Sequence, residues 1–211
     1  MPCAGEAVML SSRMARSTPQ PPPSSESFLE GKLLIAMPAM PDPRFEKSVI
    51  FICSHSAQKG AMGLIINKPI DGLSFHELMS KLGIGITADR ADAPILFGGP
   101  VQMDRGFVLH SSDYGNNEST LAITSEISLT ATADVLRAIS QGRGPKKSVL
   151  ALGYAGWGEG QIEDEIKANC WIHCDADEAL VFDTTSKAMW QTALAKLGAD
   201  VSGLSAQAGR A

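Results

Sequence analysis

Apolar residues fall in short runs broken by glycine, proline and polar clusters, and the runs switch between a strand-like and a helix-like period. Lys32-Leu-Leu-Ile-Ala36 predicts a strand, followed by a connector, Met37-Pro-Ala-Met-Pro-Asp-Pro43, whose prolines block both helix and ladder. Ser48-Val-Ile-Phe-Ile-Cys53 and Met62-Gly-Leu-Ile-Ile66 predict two buried strands of a hairpin, joined through Gln58-Lys-Gly60 and closed by Asn67-Lys-Pro69. Pro94-Ile-Leu-Phe97 and Gly106-Phe-Val-Leu-His110 predict two more, and Leu121-Ala-Ile-Thr124 with Ile127 one irregular strand. Ser148-Val-Leu-Ala-Leu152 is a strand leading into a glycine-dense loop, Gly153 to Gly160, and an acidic helix at about 160–168. Cys170-Trp-Ile-His-Cys174 alternates, with Cys170, Ile172 and Cys174 on one face and Trp171 and His173 on the other.

The remaining helices announce themselves by caps and stripes. Ser74-Phe-His-Glu77 fits a capping box ahead of Phe75, Leu78, Met79 and Leu82, with Gly83 as the stop. Thr130 to Gln141 turns Val135, Leu136 and Ile139 inward. Trp190, Ala193, Leu194 and Leu197 form the stripe of the last helix, before Gly198. Strands and helices interleave with hairpins, which predicts an α+β (mixed α/β) fold. Residues 1–27, centred on Ser17-Thr-Pro-Gln-Pro-Pro-Pro-Ser-Ser25, read as a disordered Pro-rich tail, and residues 28–211 as a single domain. Met14 offers an alternative start to Met1.

Composition narrows the function. A formal net charge of -5 leaves no basic field for a nucleic-acid backbone, and no apolar run is long enough to span a bilayer. The first residues lack a basic region and an unbroken apolar core, so no secretory signal is read there. With only 4 cysteines in 211 residues, free thiols in the cytoplasm are expected. Neither a cofactor nor a metal site is expected: Cys53-Ser-His55 with Cys170 to Cys174 lacks zinc-knuckle spacing.

The glycine loop has the strand–glycine–helix plan of a phosphate cradle, but Gln161 and Ile162 stand where a P-loop needs Lys and Ser or Thr. Glu159, Glu163, Asp164 and Glu165 add charge that repels phosphate. A tight turn packed around Trp157 is the structural alternative, and it predicts that Val at Gly156 or Gly158 destabilises the protein through positive φ. His110-Ser-Ser-Asp113 and Ser54-His55-Ser56 carry triad residue types without the G-x-S-x-G elbow that exposes a serine.

Several of these segments resemble one known family in the order expected for it. Gly31-x-Leu33-Leu34-Ile35-Ala36-x-Pro38-x-Met40-x-Asp42-x-x-Phe45 is similar to the opening of the AlgH/YqgE family of bacterial proteins. Gly60-Ala61-x-Gly63-Leu64-Ile65-Ile66-Asn67-x-Pro69, Gly98-Gly99-Pro100-Val101 and Arg105-Gly106-Phe107 resemble its middle. Leu152-Gly153-Tyr154-Ala155-Gly156-Trp157 with Gly160-Gln161-Ile162-Glu163-x-Glu165 resembles its hallmark. The resemblance implies a branched, mostly antiparallel or mixed sheet surrounded by helices, in a cytoplasmic protein without agreed catalytic residues. The family's name links it to regulation of alginate synthesis, and members are labelled transcriptional regulators. The acidic chain and the lack of a helix-turn-helix pattern point to protein contact rather than direct nucleic-acid binding.

Two readings remain open. In the first, the chain is a non-enzymatic regulator or adaptor that binds a protein partner or small ligand. Its candidate pocket is lined by Asn67, Gly98, Gly99, Arg105, Gly156, Trp157, Gln161 and Glu165. In the second it is an undescribed hydrolase or transferase using His55 or His110 with Glu46 or Glu165. A histidine, a carboxylate and a nucleophile converging in one pocket favour the enzyme; a buried Trp157 among scattered polar groups favours the binder.

Overall fold

A computed structural model describes residues 29–87, 93–115 and 119–198. The tail at 1–27 and the chain end beyond Ser202 lie outside the described residues. The chain runs through β1 (Lys32–Ala36), β2 (Val49–Ser56), β3 (Gly60–Ile65), β4 (Pro69–Ser74), α1 (Phe75–Lys81), β5 (Pro94–Phe97) and β6 (Val101–Ser111). It continues through β7 (Thr120–Ala122), β8 (Ile127–Thr130), α2 (Ala133–Ser140), β9 (Ser148–Trp157), α3 (Gln161–Lys167) and β10 (Trp171–Asp175). A π-helical turn (Ala179–Asp183) and α4 (Ser186–Lys196) follow.

The strands line up as β10-β1-β2-β3-β9-β6-β8-β7, with β4 and β5 branching off at β9. Every pairing is antiparallel except β5 on β9. The predicted β2–β3 hairpin is present, whereas the irregular strand at 121–127 is two strands, β7 and β8, paired to each other. β9 is also longer than expected: the glycine stretch continues as strand to Trp157, and only residues 158–160 turn.

Glycine explains the branch. Gly153 sits inside β9 at φ +70, and the β6–β9 register breaks between Val101/Tyr154 and Gly106/Leu152. Gln102 to Arg105 of β6 there stand opposite Gly153 alone, and at this bulge the left-handed glycine reverses which face later side chains of β9 occupy. Val149 and Ala151 before it, and Tyr154 after it, therefore all belong to one core cluster. The same edge of β9 pairs with β5 at Ala151 and Leu152, then with β3 from Ala155 to Trp157. At the changeover a Cβ on Gly98 would sit 2.2 Å from the Gly153 carbonyl oxygen, and one on Gly153 2.4 Å from that of Gly99. Only glycines let these backbones meet.

The sheet curls into a half-barrel. Leu33 of β1 and Ile127 of β8, far apart in strand order, share the concave cluster with Phe51, Leu109 and Ala151. Met189, Trp190, Ala193 and Leu194 of α4 plug that face, and the Trp190 indole donates to the Ala36 carbonyl at 2.8 Å. The convex face is covered in two places. α3 packs Ile162 with Trp157 and Trp171; α1 and α2 pack Phe75, Met79, Val135 and Ile139 over Ile95 and Val108. The predicted capping box of α1 is formed: Glu77 N–H donates to Ser74 Oγ, and Ser74 N–H to Glu77 Oε2 at 2.8 Å. Helices surrounding the sheet overstate this coverage, since they are short and leave part of the concave face open. In β10, Ile172 and Cys174 face the concave core and Trp171 the convex one; Cys170, just before the strand, joins the Trp171 side.

Candidate functional site

The open part of the concave face is a groove of about 820 Å³, within the range of ligand pockets. Its floor is the rim of the concave core: Met62 from β3, Phe107 from β6, Leu129 from β8 and Tyr154 from β9. Phe107 and Tyr154 meet edge to face with ring centres 5.9 Å apart. Leu121 of the edge strand β7 forms one wall, and the hairpin turn with Gln58 and Lys59 another. Arg105 projects over this floor, its guanidinium carbon 5.2 Å from the Phe107 ring centre. Arg105 Nη1 donates to Gln102 Oε1 at 3.5 Å, a long contact. Among the described residues neither Arg105 nor Lys59 has a carboxylate partner.

Of the candidate residues, Arg105, Gly156 and Trp157 line this groove. Trp157, Gln161 and Glu165 form a closed network on its far side. Glu165 Oε2 accepts the indole N–H of Trp157 at 3.0 Å and of Trp171 at 2.8 Å, and Oε1 accepts from Gln161 Nε2 at 2.9 Å. Gln161 Oε1 in turn accepts the Gly158 N–H at 3.0 Å. A buried carboxylate is tolerable when its lone pairs are filled in this way, and this one locks α3 to β9 and β10.

Asn67, Gly98 and Gly99 lie away from the groove. Asn67 clamps backbone: its Oδ1 accepts the Val49 N–H at 2.8 Å and its Nδ2 donates to the Lys47 carbonyl at 2.9 Å. Gly98 and Gly99 are the branch contacts already described. The positive φ expected at Gly156 and Gly158 is found instead at Gly153 and Gly160. Gly156 is ordinary strand opposite Met62, and a Cβ there would meet only the Tyr154 ring at 3.4 Å.

Both candidate histidines are buried. His55 Nε2 contacts Glu163 Oε1 at 2.7 Å, tying β2 to α3, and its side chain is 1% exposed. Its carboxylate is thus Glu163 rather than Glu46 or Glu165; Glu46 sits on the surface beside Lys47. His110 is 0% exposed, 2.8 Å from the Ser111 carbonyl through Nδ1 and 3.0 Å from Thr130 Oγ1 through Nε2. A carbonyl can only accept, so Nδ1 carries the proton and Nε2 accepts from the threonine. Burial holds this imidazole below its ordinary pKa, so it is neutral.

The thiols are equally withdrawn. Cys53 and Cys174 are free and buried, and burial pushes both thiols up, away from the thiolate that zinc or a nucleophilic role requires. Cys170 departs from the free-thiol expectation and is disulfide-bonded, and Cys3 lies outside the described residues. Among the described residues no group of three or more His, Cys, Asp or Glu is placed to hold a metal ion. No described helix is long and apolar enough to cross a membrane.

A model of the AlgH-like family matches residues 33–202. The chain belongs to the AlgH-like family. A UPF0301 protein of Bradyrhizobium diazoefficiens is 51% identical over 203 residues, spanning 93% of this chain and 94% of that one. A UPF0301 protein of Jannaschia sp. is 53% identical over 184 residues, 87% of this chain and 95% of its own. The solution structure of AlgH from Pseudomonas aeruginosa superposes with a TM-score of 0.70 at 43% identity, covering 94% of this chain and 100% of that one. A crystal structure of a Corynebacterium diphtheriae protein reaches a TM-score of 0.66 at 18% identity over 92% and 95% of the two chains, and shares the fold.

The groove residues beyond the sequence-based pocket set include Lys59, Met62, Phe107, Leu121 and Tyr154. Their signals were the hairpin turn and the apolar strand positions, which do not by themselves reveal a shared face.

Proposed function

We propose that this AlgH-like chain is a non-enzymatic cytoplasmic binding protein, a regulator or adaptor, and that the concave groove receives its partner or ligand. The supporting observation is a division of labour among polar groups. The histidines suited to proton transfer are spent on buried contacts with Glu163, Ser111 and Thr130, while exposed Arg105 and half-buried Met62 and Tyr154 line the groove over the buried Phe107. A general base must reach the proton it takes: His110 lies outside the groove, and His55, although it lines the groove beside Ser54 and Ser56, has a side chain only 1% exposed and turned to Glu163. Trp157 is buried and bonded to Glu165, as the binding reading expects. Regulation would then act through this groove and not through direct DNA contact, given a net charge of -5.

The test is native mass spectrometry of the full chain purified gently from its own host, beside Gly156→Val. Strands accept valine, and the new side chain enters the groove without a backbone clash, so melting shifts by less than about 1 kcal/mol equivalent. The reading expects a retained mass on the parent chain that the variant has lost. Retention by both, or by neither, contradicts it.

A further inference from the structure

Resting on that reading, we propose that the groove takes a small amphipathic monoanion: an apolar chain or ring bearing one carboxylate, with its body on the floor and its head at Arg105. Two independent features of the groove carry this.

The first is the floor. Met62, Phe107, Leu129 and Tyr154 are continuous with the concave core, where α4 fills the other end with Met189, Trp190 and Leu194. The open end offers the same kind of surface that the protein covers with its own apolar side chains elsewhere. Phe107 and Leu129 are already buried, and an apolar body there removes the exposed parts of Met62, Tyr154 and Leu121, and its own surface, from water.

The second is charge. Six other cations of the described chain hold a carboxylate at close range: Lys32 pairs with Asp175, Arg44 with Asp42, Arg137 with Asp134, Lys147 with Asp183, Lys167 with Asp164 and Lys196 with Asp177. Arg105 is held by a ring face and one long amide contact, so most of its donors are directed to solvent above the floor. Lys59, on the hairpin turn, adds a second positive charge to the same groove. Contact with the Phe107 ring restrains the Arg105 side chain over the groove, so part of the ordering cost of receiving a carboxylate is already met.

The head is singly charged because the groove is only weakly positive. Glu159 lies on the same rim, and the chain carries a net charge of -5. With Arg105 and Lys59 set against Glu159, the lining offers one positive charge in excess, which one carboxylate neutralises and a dianionic phosphate would overshoot.

Isothermal titration calorimetry of the full chain, at low salt and below micelle formation, separates the two features with decanoate, decanol and acetate. Decanoate is expected to bind about fivefold tighter than decanol, the upper range for a solvent-facing ion pair, with acetate giving no measurable heat. Arg105→Gln should remove the preference for decanoate and leave decanol unchanged. Raising the salt concentration should shrink the preference in the parent chain. Equal affinity for decanoate and decanol, or a preference that survives Arg105→Gln, overturns the proposal. If that happens while the Gly156-sensitive retained mass persists, the monoanion falls and the binding reading stands. If neither decanoate nor decanol binds and no mass is retained, both fall.

Discussion

Two arginines of this protein lie over phenylalanine rings on opposite faces of one sheet, and only one of them has a carboxylate. On the convex face Arg44 sits 5.8 Å from the Phe45 ring centre, and its Nη2 donates to Asp42 Oδ2 at 2.7 Å. Phe45 in turn meets the Trp171 ring edge to face at 5.7 Å. On the concave face Arg105 sits 5.2 Å from the Phe107 ring, with Gln102 where Asp42 would be. The cation over a ring is closed off by Asp42 within the proline-rich loop and left open where the sheet forms a groove. An arginine's chemistry depends on whether the chain has already supplied its anion.

The two faces stay distinct only because β9 changes register at Gly153. Gly153→Val breaks this directly: it strains a φ of +70 and drives side-chain atoms into the carbonyl oxygens of Gly99 and Val101. The strain and overpacking together should cost about 3 kcal/mol or more, seen as a lower midpoint in urea or as failure to fold. A variant that unfolds with the parent's midpoint would mean the bulge is not what separates the faces.

The next test removes the anion that makes the arginines unlike. Arg44 holds the Asp42 carboxyl below the ordinary carboxylate range, chiefly through their side-chain hydrogen bonds. A depressed folded pKa stabilises the protein above the unfolded value, near pH 4, and that contribution is lost as pH falls through the folded value. Asp42→Asn should therefore cost about 1 kcal/mol at neutral pH, the low side for a charge-assisted bond because Arg44 is half-exposed. The gap between parent and variant should narrow as pH drops below about 4. Urea midpoints at a series of pH values check this; a gap that widens in acid would have the wrong sign.

Much of the scaffold was legible locally. The β2–β3 hairpin, the capping box at Ser74 and Glu77, and the stripes of α2 and α4 each announce themselves within a few residues. The branch was not. Gly98, Gly99 and Gly153 read as loop punctuation because the backbones that require them lie about fifty residues apart in sequence. Arg105, Gly156 and Trp157, expected in loops but found in β6 and β9, were named for a pocket from sequence, but Tyr154 was not, since its face depends on the bulge one residue earlier. Glu165 had the right charge for a cleft acid. Only the approach of Trp157 and Trp171 turns it into a closed structural network.

The smallest substitution acts most directly on the comparison. Gln102→Glu gives Arg105 a carboxylate oxygen where an amide oxygen already accepts from it at 3.5 Å, in a side chain of nearly the same shape. Both residues are exposed, so the new pair should change the urea midpoint by no more than about 0.5 kcal/mol. Affinity should respond differently, because the arginine then has its anion within the chain, as Arg44 does. A ligand carboxylate would have to displace that anion or approach a neutralised site, and the decanoate preference should disappear while decanol binding persists. A preference that survives would put the anion's partner elsewhere on the rim, at Lys59, and the likeness between the two arginines would stop at their rings.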